Sequence, residues 1–278
     1  MTRILIPVYN AAAELSRCLA ALAASVPANT PMTLIDDAST DPAVAVILTE
    51  FAASRSAVDL LSNPVNLGFV GNVNRGFRET SGNVLLLNSD TLPTSGFLSR
   101  IEACARSDER IATVTPFSNN AEICSFPLFC VASPMPPDMD AVSTAFAAEQ
   151  GEAIDVPTGV GFCMWLRRAT LDQIGDFDAA TFGRGYGEEN DFCRRAAAHG
   201  WRNVVCPSAY VGHVGHASFA PTGERPGGEN LRRLSARYPR YNAEIADFIS
   251  RDPLAGVRAR VAERVSRNLS QANASPRP

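Results

Sequence analysis

The 278-residue chain is 46% hydrophobic and 19% charged, a balance that excludes intrinsic disorder as its main state and supports one large core or two small ones. No apolar run approaches the roughly 18 residues of a membrane span, and the start, Met1-Thr2-Arg3 ahead of Ile4-Leu5-Ile6-Pro7, is too short for a signal-peptide apolar region, so a soluble cytoplasmic protein is expected. The net charge of -4 is uneven: from residue 220 onward eleven Arg face six Asp and Glu, which leaves an acidic body ill suited to nucleic acid.

In chain order, short apolar runs alternate with amphipathic helices. Strands are predicted at residues 3–8, 32–35, 58–61, 84–87 and 111–115, with helices at 11–24, 42–53, 70–80 and 96–106 between them. This alternation predicts an α/β fold with a mainly parallel sheet covered on both faces, in which ligands bind at the carboxyl ends of the strands. Just past those ends lie Tyr9-Asn10, Asp36-Asp37, Asn63 and Asn88-Ser89-Asp90. Residues 116–157 break the rhythm. Pro127, Pro134, Pro136 and Pro137 mark a long loop leading to a short helix near 140–150, read as a lid or an acceptor-side insertion. A strand at 162–166, a short helix at 170–174, a loop with Gly183, Gly185 and Gly187, a helix at 188–199 and strands near 203–206 and 210–214 follow. A Gly/Pro linker then leads into three Arg-rich helical segments, so residues 1–219 read as the main domain and 220–278 as a helical extension. Seven scattered cysteines without a C-x-x-C pair predict small buried thiols rather than a disulfide framework or a cysteine-bound zinc.

Four clusters carry candidate chemistry. Asp36-Asp37 ends a strand ahead of Ser39, Asp41 and Pro42, which read as a helix cap. Two adjacent carboxylates exceed that need, and one of them could accept the N3–H of a uracil or thymine ring. Asn88-Ser89-Asp90 follows a buried strand; it is either an Asx turn or a place to present a carboxylate to a divalent cation on a nucleotide diphosphate. Glu188, Glu189 and Asp191 crowd the first turn of a helix, where acids suit the dipole but where mutual repulsion could raise one pKa toward that of a general base. His213 and His216 follow a late strand, and such a pair is either structural or metal-ligating.

The order of these parts resembles the family 2 glycosyltransferases over about residues 3 to 219. The resemblance rests on Ile6-Pro7-Val8-Tyr9-Asn10, Ile35 to Asp41, Asn66-Leu67-Gly68-Phe69 with Asn72 and Gly76, Leu86 to Thr91, Glu188 to Arg195, and His213 followed by Ser218-Phe219. It implies a GT-A fold and an inverting, sugar-nucleotide-dependent transferase. The Leu-Leu-Asn-x-Asp-Thr form is similar to bacterial members that build surface polysaccharides, rhamnosyltransferases using dTDP-sugars among them. Carried over by position, Pro7, Tyr9, Asp36, Asp37, Gly68 and Asn72, with Ser89, would hold the nucleotide. Asp90 would be the metal-binding acid of the DxD motif, His213 a late metal or diphosphate contact, and Glu189 the general base, with Glu188 and Asp191 as candidates for parts of that role. The implied cofactor is Mg2+ or Mn2+. Two departures stand out: Asn88 replaces the first Asp of DxD, and Glu189 replaces the usual Asp.

Two other classes compete. A nucleotidyltransferase that makes the sugar nucleotide begins with a Gly-rich basic loop, whereas residues 4–18 hold no Gly and one basic residue, Arg17. A sugar-nucleotide-binding module without transferase activity would keep the fold and lose the acids, yet an acid is present at every one of those positions except Asn88. The expected partners are a nucleotide-sugar donor and a glycan or lipid-linked acceptor, with no nucleic acid. The basic extension either packs across the acidic body or offers peripheral contact to a neighbouring domain or to anionic lipid at the inner face of the membrane.

Overall fold

The computed structural model describes residues 1–183, 185–215 and 228–274, with side chains to residue 268. Nine strands occur among them: β1 (Thr2–Val8), β2 (Met32–Asp36), β3 (Val58–Ser62), β4 (Asn83–Leu87), β5 (Thr91–Pro93), β6 (Ile111–Phe117), β7 (Ile154–Asp155), β8 (Cys163–Leu166) and β9 (Arg202–His213). They form one sheet of order β3-β2-β1-β4-β8-β6-β9-β5, with β7 added to β9. The sheet is mixed and mostly parallel. β3, β2, β1 and β4 run parallel, as do β6 and β9, while β8 is antiparallel to both of its neighbours.

Period-two alternation fixes which side chains face which layer. Ile4, Ile6 and Val8 of β1 enter one core with Leu85 and Leu87 of β4, while Leu5, Val84 and Leu86 enter the other. The first core is closed by α1 (Ala12–Ser25), α2 (Pro42–Ala53), α4 (Phe97–Arg106) and α5 (Met139–Ala147). The second is closed by α3 (Gly68–Glu79), α6 (Arg168–Ile174) and α8 (Glu188–Ala198). Both faces of the central strands are therefore buried, which is why they read as unbroken apolar runs.

Three details differ from the sequence reading. β5 is too short, at three residues, to carry a pattern. The strands expected near 203–206 and 210–214 are one strand, β9, whose register against β6 jumps between Pro116 and Phe117. α7 (Ala179–Phe182), a single turn capped by the Asp178 side chain, was not anticipated.

The Arg-rich extension folds as α9 (Glu229–Arg237), α10 (Tyr241–Arg251) and α11 (Ala255–Ala274). Phe248, Leu254, Val257 and Val261 join the first core, and Leu234 and Tyr241 pack on Phe182 of α7. Its arginines meet acids of the body: Arg237 pairs with Asp178 and Asp191, and Arg260 and Arg264 both pair with the buried Glu149. This is the packing alternative expected from the charge asymmetry. The expected boundary at 219/220, together with His216, Ser218 and Phe219, lies outside the described residues. No helix of the described residues is long and apolar enough to cross a membrane.

Candidate functional site

A cavity of about 510 Å³ opens at the carboxyl ends of β1, β2 and β4, within the size range of small-molecule sites. Pro7, Tyr9, Asp37, Gly68, Asn72, Ser89, Asp90, Glu188, Glu189 and His213 all line it, so the structure gathers residues more than 200 positions apart into one wall. Asp36 and Asp191 do not belong to that wall.

The nucleotide end is built from crossing turns. Asn10 and Ala11 both adopt φ 54°, and the Asn10 side-chain oxygen accepts the amides of Thr40 (2.9 Å) and Asp41 (3.1 Å), which ties the β1–α1 turn to the β2–α2 turn beside Tyr9. Asp36 is spent locally, its Oδ1 accepting the Ser39 amide at 3.1 Å. The structure thus places Asp36, expected as a nucleotide contact, at the β2–α2 turn and outside the cavity wall. Asp37 is 2% exposed; its carboxylate accepts from Asn63 Nδ2 (2.6 Å), Leu67 N (2.8 Å) and Gly68 N (2.9 Å). It pins the entry of α3 to the end of β2. Asn72 completes the network, accepting from Asn63 and donating to the Ile35 carbonyl.

At the centre, His213 Nδ1 lies 2.6 Å from the Asn120 carbonyl oxygen. A carbonyl only accepts, so Nδ1 carries a proton, and in the neutral ring Nε2 exposes a lone pair. That lone pair stands 3.5 Å from Asp90 Oδ1. The buried Oδ1 of Asn88 has no hydrogen-bond partner among the described residues. An imidazole nitrogen, a carboxylate and an amide oxygen are suitable ligands for Mg2+ or Mn2+, so the residues present fit a divalent cation. Among the described residues, no group of three or more His, Cys, Asp and Glu is placed to hold a metal, so the remaining ligands would come from diphosphate and water.

The acidic end begins with Gly187 at φ 110°, where a Cβ would lie 3.0 Å from the Phe182 ring; only glycine starts α8 this close to α7. Glu189 Oε2 accepts the Gly187 amide at 3.3 Å. Burial, then the Glu122 carboxylate, pushes the Glu189 carboxyl up to about 7. Glu188 is 4% exposed, and its Oε2 has no hydrogen-bond partner among the described residues; burial and the neighbouring Glu189 hold its carboxyl well above the usual range. Asp191 serves a different purpose. Its carboxylate accepts from Arg195 (2.8 Å), Arg237 (2.7 Å) and the Tyr238 hydroxyl (2.8 Å), joining α8 to α9. The structure thus places Asp191, expected as a candidate for part of the base role, in an anchor between helices and outside the cavity wall.

Sequence reasoning missed Asn120, Glu122, Cys130 and Ala132, which also line the cavity. They come from the proline-broken stretch, where no period marks a facing side chain. Cys130 also departs from the buried-thiol expectation, being exposed.

Comparisons with known proteins bear on the fold and the family. The rhamnosyltransferase of Mycobacterium tuberculosis strain H37Rv named for N-acetylglucosaminyl-diphospho-decaprenol is 26% identical over 231 residues, 74% of this chain and 73% of that protein. Among solved structures, GalNAc-T7 with UDP, GalNAc and Mn2+ superposes with a TM-score of 0.64 at 13% identity over 95% of this chain, which spans about half, 54%, of that one. The mannosyltransferase PcManGT from Pyrobaculum calidifontis with GDP-Man and Mn2+ gives 0.59 at 16% identity, covering 100% of this chain and 76% of its own. S. aureus TarS 1-349 with UDP-GlcNAc gives 0.58 at 16%, covering 97% and 72%. These neighbours share the GT-A fold. The model of Glycosyl transferase family 2 matches residues 3–175, well over half of the chain, and the protein belongs to that glycosyltransferase family.

Proposed function

We propose that this glycosyltransferase inverts the anomeric centre as it moves a sugar from a UDP- or dTDP-linked donor to a hydroxyl of a glycan or lipid-linked acceptor, in bacterial cell-surface polysaccharide synthesis. The observation that carries the reading is the placement of Asp90, His213 and Glu189 on one cavity with the turn that Asp37 builds. Pro7, Tyr9, Gly68 and Asn72 would hold the nucleoside, and Asp37, at the cavity floor, would accept a pyrimidine N–H. Asp90, His213 and Asn88 would hold Mg2+ or Mn2+, which when bound offsets the charge of the departing diphosphate. Glu189, with a carboxyl near 7, is suited to take the proton from the acceptor hydroxyl as that oxygen attacks the anomeric carbon on the face away from the diphosphate. The acceptor would enter past the wall formed by Asn120, Glu122 and Cys130. The M. tuberculosis relative's name gives a rhamnosyl group and a polyprenyl-diphosphate acceptor, which supports a lipid-linked acceptor and a deoxyhexose donor here.

The test is incubation with dTDP-rhamnose, UDP-GlcNAc or GDP-mannose and Mn2+, with and without N-acetylglucosaminyl-diphospho-polyprenol, followed by NMR of the product. A product whose anomeric configuration is opposite to the donor's supports the reading. Retained configuration, or no release of nucleotide diphosphate from any donor, overturns it.

A further inference from the structure

We propose that Asn119 is a positioning residue: with the Asn120 carbonyl it clamps His213 so that Nε2 faces Asp90. The inference rests on the reading of Asp90 and His213 as a cation-binding pair. Asn119 is 2% exposed and sits directly past β6. Its Oδ1 accepts the His213 amide at 2.9 Å, while its Nδ2 donates to the carbonyls of His213 and Ser133, each at 3.0 Å. One side-chain amide thus engages both main-chain groups of His213 and ties them to the segment that supplies Cys130 and Ala132 to the cavity.

The ring is fixed from two further directions. Nδ1 donates to the Asn120 carbonyl, and the imidazole stacks on Phe162 at 5.0 Å with an interplanar angle of 24°. The corner that supplies these groups is itself closed by hydrogen bonds. Ser118 N donates to the Cys124 carbonyl (3.2 Å), Phe126 N to the Ser118 carbonyl (2.7 Å) and Ala121 N to the Ser125 hydroxyl (3.0 Å). Gly215, at φ 78°, completes the fit, since a Cβ there would collide with the Asn120 side chain. A free neutral imidazole favours the proton on Nε2. The hydrogen bond made by one ring nitrogen decides which form the other presents, and this corner selects the Nδ1–H form. Loss of such an outer contact typically lowers metal affinity about 10- to 100-fold.

The test uses the full chain. The tautomer is read from long-range 1H–15N correlations of the three histidine rings without metal, with His213→Gln identifying the His213 signals. Mn2+ affinity in the presence of UDP is read by electron paramagnetic resonance. The wild type is expected to show Nδ1–H at His213. Asn119→Ala is expected to shift the ring toward Nε2–H and to weaken Mn2+ binding about tenfold or more. Asn119→Asp, which keeps the shape and the acceptor but loses both donations, serves the ring measurement if Asn119→Ala does not fold, and is expected to show the same shift. An Nε2–H ring in the wild type, or an unshifted ring in both variants, overturns the proposal. If His213→Gln leaves Mn2+ affinity unchanged, the cation-site reading fails, and the ring signature alone decides the role of Asn119.

Discussion

His213 Nε2 faces Asp90 Oδ1 across 3.5 Å, and in the neutral ring a lone pair stands opposite a carboxylate. Two electron-rich atoms in this arrangement gain from a cation between them. Asp90→Asn removes the charge and places an amide N–H where it can cap the imidazole lone pair. We expect Mn2+-dependent stabilisation by UDP in thermal shift to be lost, with the melting temperature of the free protein nearly unchanged. Mn2+-dependent stabilisation equal to that of the wild type would remove Asp90 from the site.

Glu189→Gln should lower turnover at least a hundredfold, the ordinary loss for a general base, with little change in donor affinity. The base must be ionised to act. Since burial and Glu122 raise its carboxyl to about 7, kcat/KM should climb through neutrality and level off above it, losing activity as pH falls below 7. An acid limb near the ordinary carboxylate range of about 4 would mean that another group takes the proton.

Much of the frame was legible because period and burial coincide. α2 (Pro42–Ala53) begins where Asp41 caps and Pro42 starts a helix, and β4 shows its buried run openly. The members of the site on strand ends were legible for the same reason, since Pro7, Tyr9, Asp37 and Asp90 follow apolar runs. Spacing alone could not separate Asp36 from Asp37 or Glu189 from Asp191. The fold bonds both Asp36 and Asp37, and it holds Asp191 through Arg195 and Arg237, but only Asp37 and Glu189 reach the cavity, a difference set by tertiary placement. The His213 clamp was hidden likewise, because Asn119 lies 94 residues away.

Glu188 should cost stability at neutral pH. Its folded-state pKa stands well above the unfolded value of about 4.3, so the favourable difference is complete below that value and is lost progressively as pH rises toward the folded pKa. Glu188→Gln removes the ionisation that favours the unfolded chain. The variant should therefore melt a few degrees higher than wild type at pH 8 and close to it at pH 4. A difference that is independent of pH would show that the buried carboxyl is not held neutral.

Asp191 supplies the contrast. Its side chain is fully buried, and it accepts from Arg195, Arg237 and Tyr238, while Arg237 also reaches Asp178 below α7. Breaking a buried pair leaves its partner uncompensated, about 3–5 kcal/mol when both charges are desolvated. Arg195 and Arg237 keep 23% and 37% of their side-chain surface exposed, so water recovers part of that cost and about 2–3 kcal/mol is expected for Asp191→Asn. The loss should concentrate where α9 meets α7 and α8, and hydrogen exchange should report it there first. At a temperature where the variant remains folded, its turnover should stay within a few fold of wild type, because the cavity wall is formed by Glu188 and Glu189 and not by Asp191. A hundredfold fall in turnover with unchanged denaturant stability would return Asp191 to the chemistry.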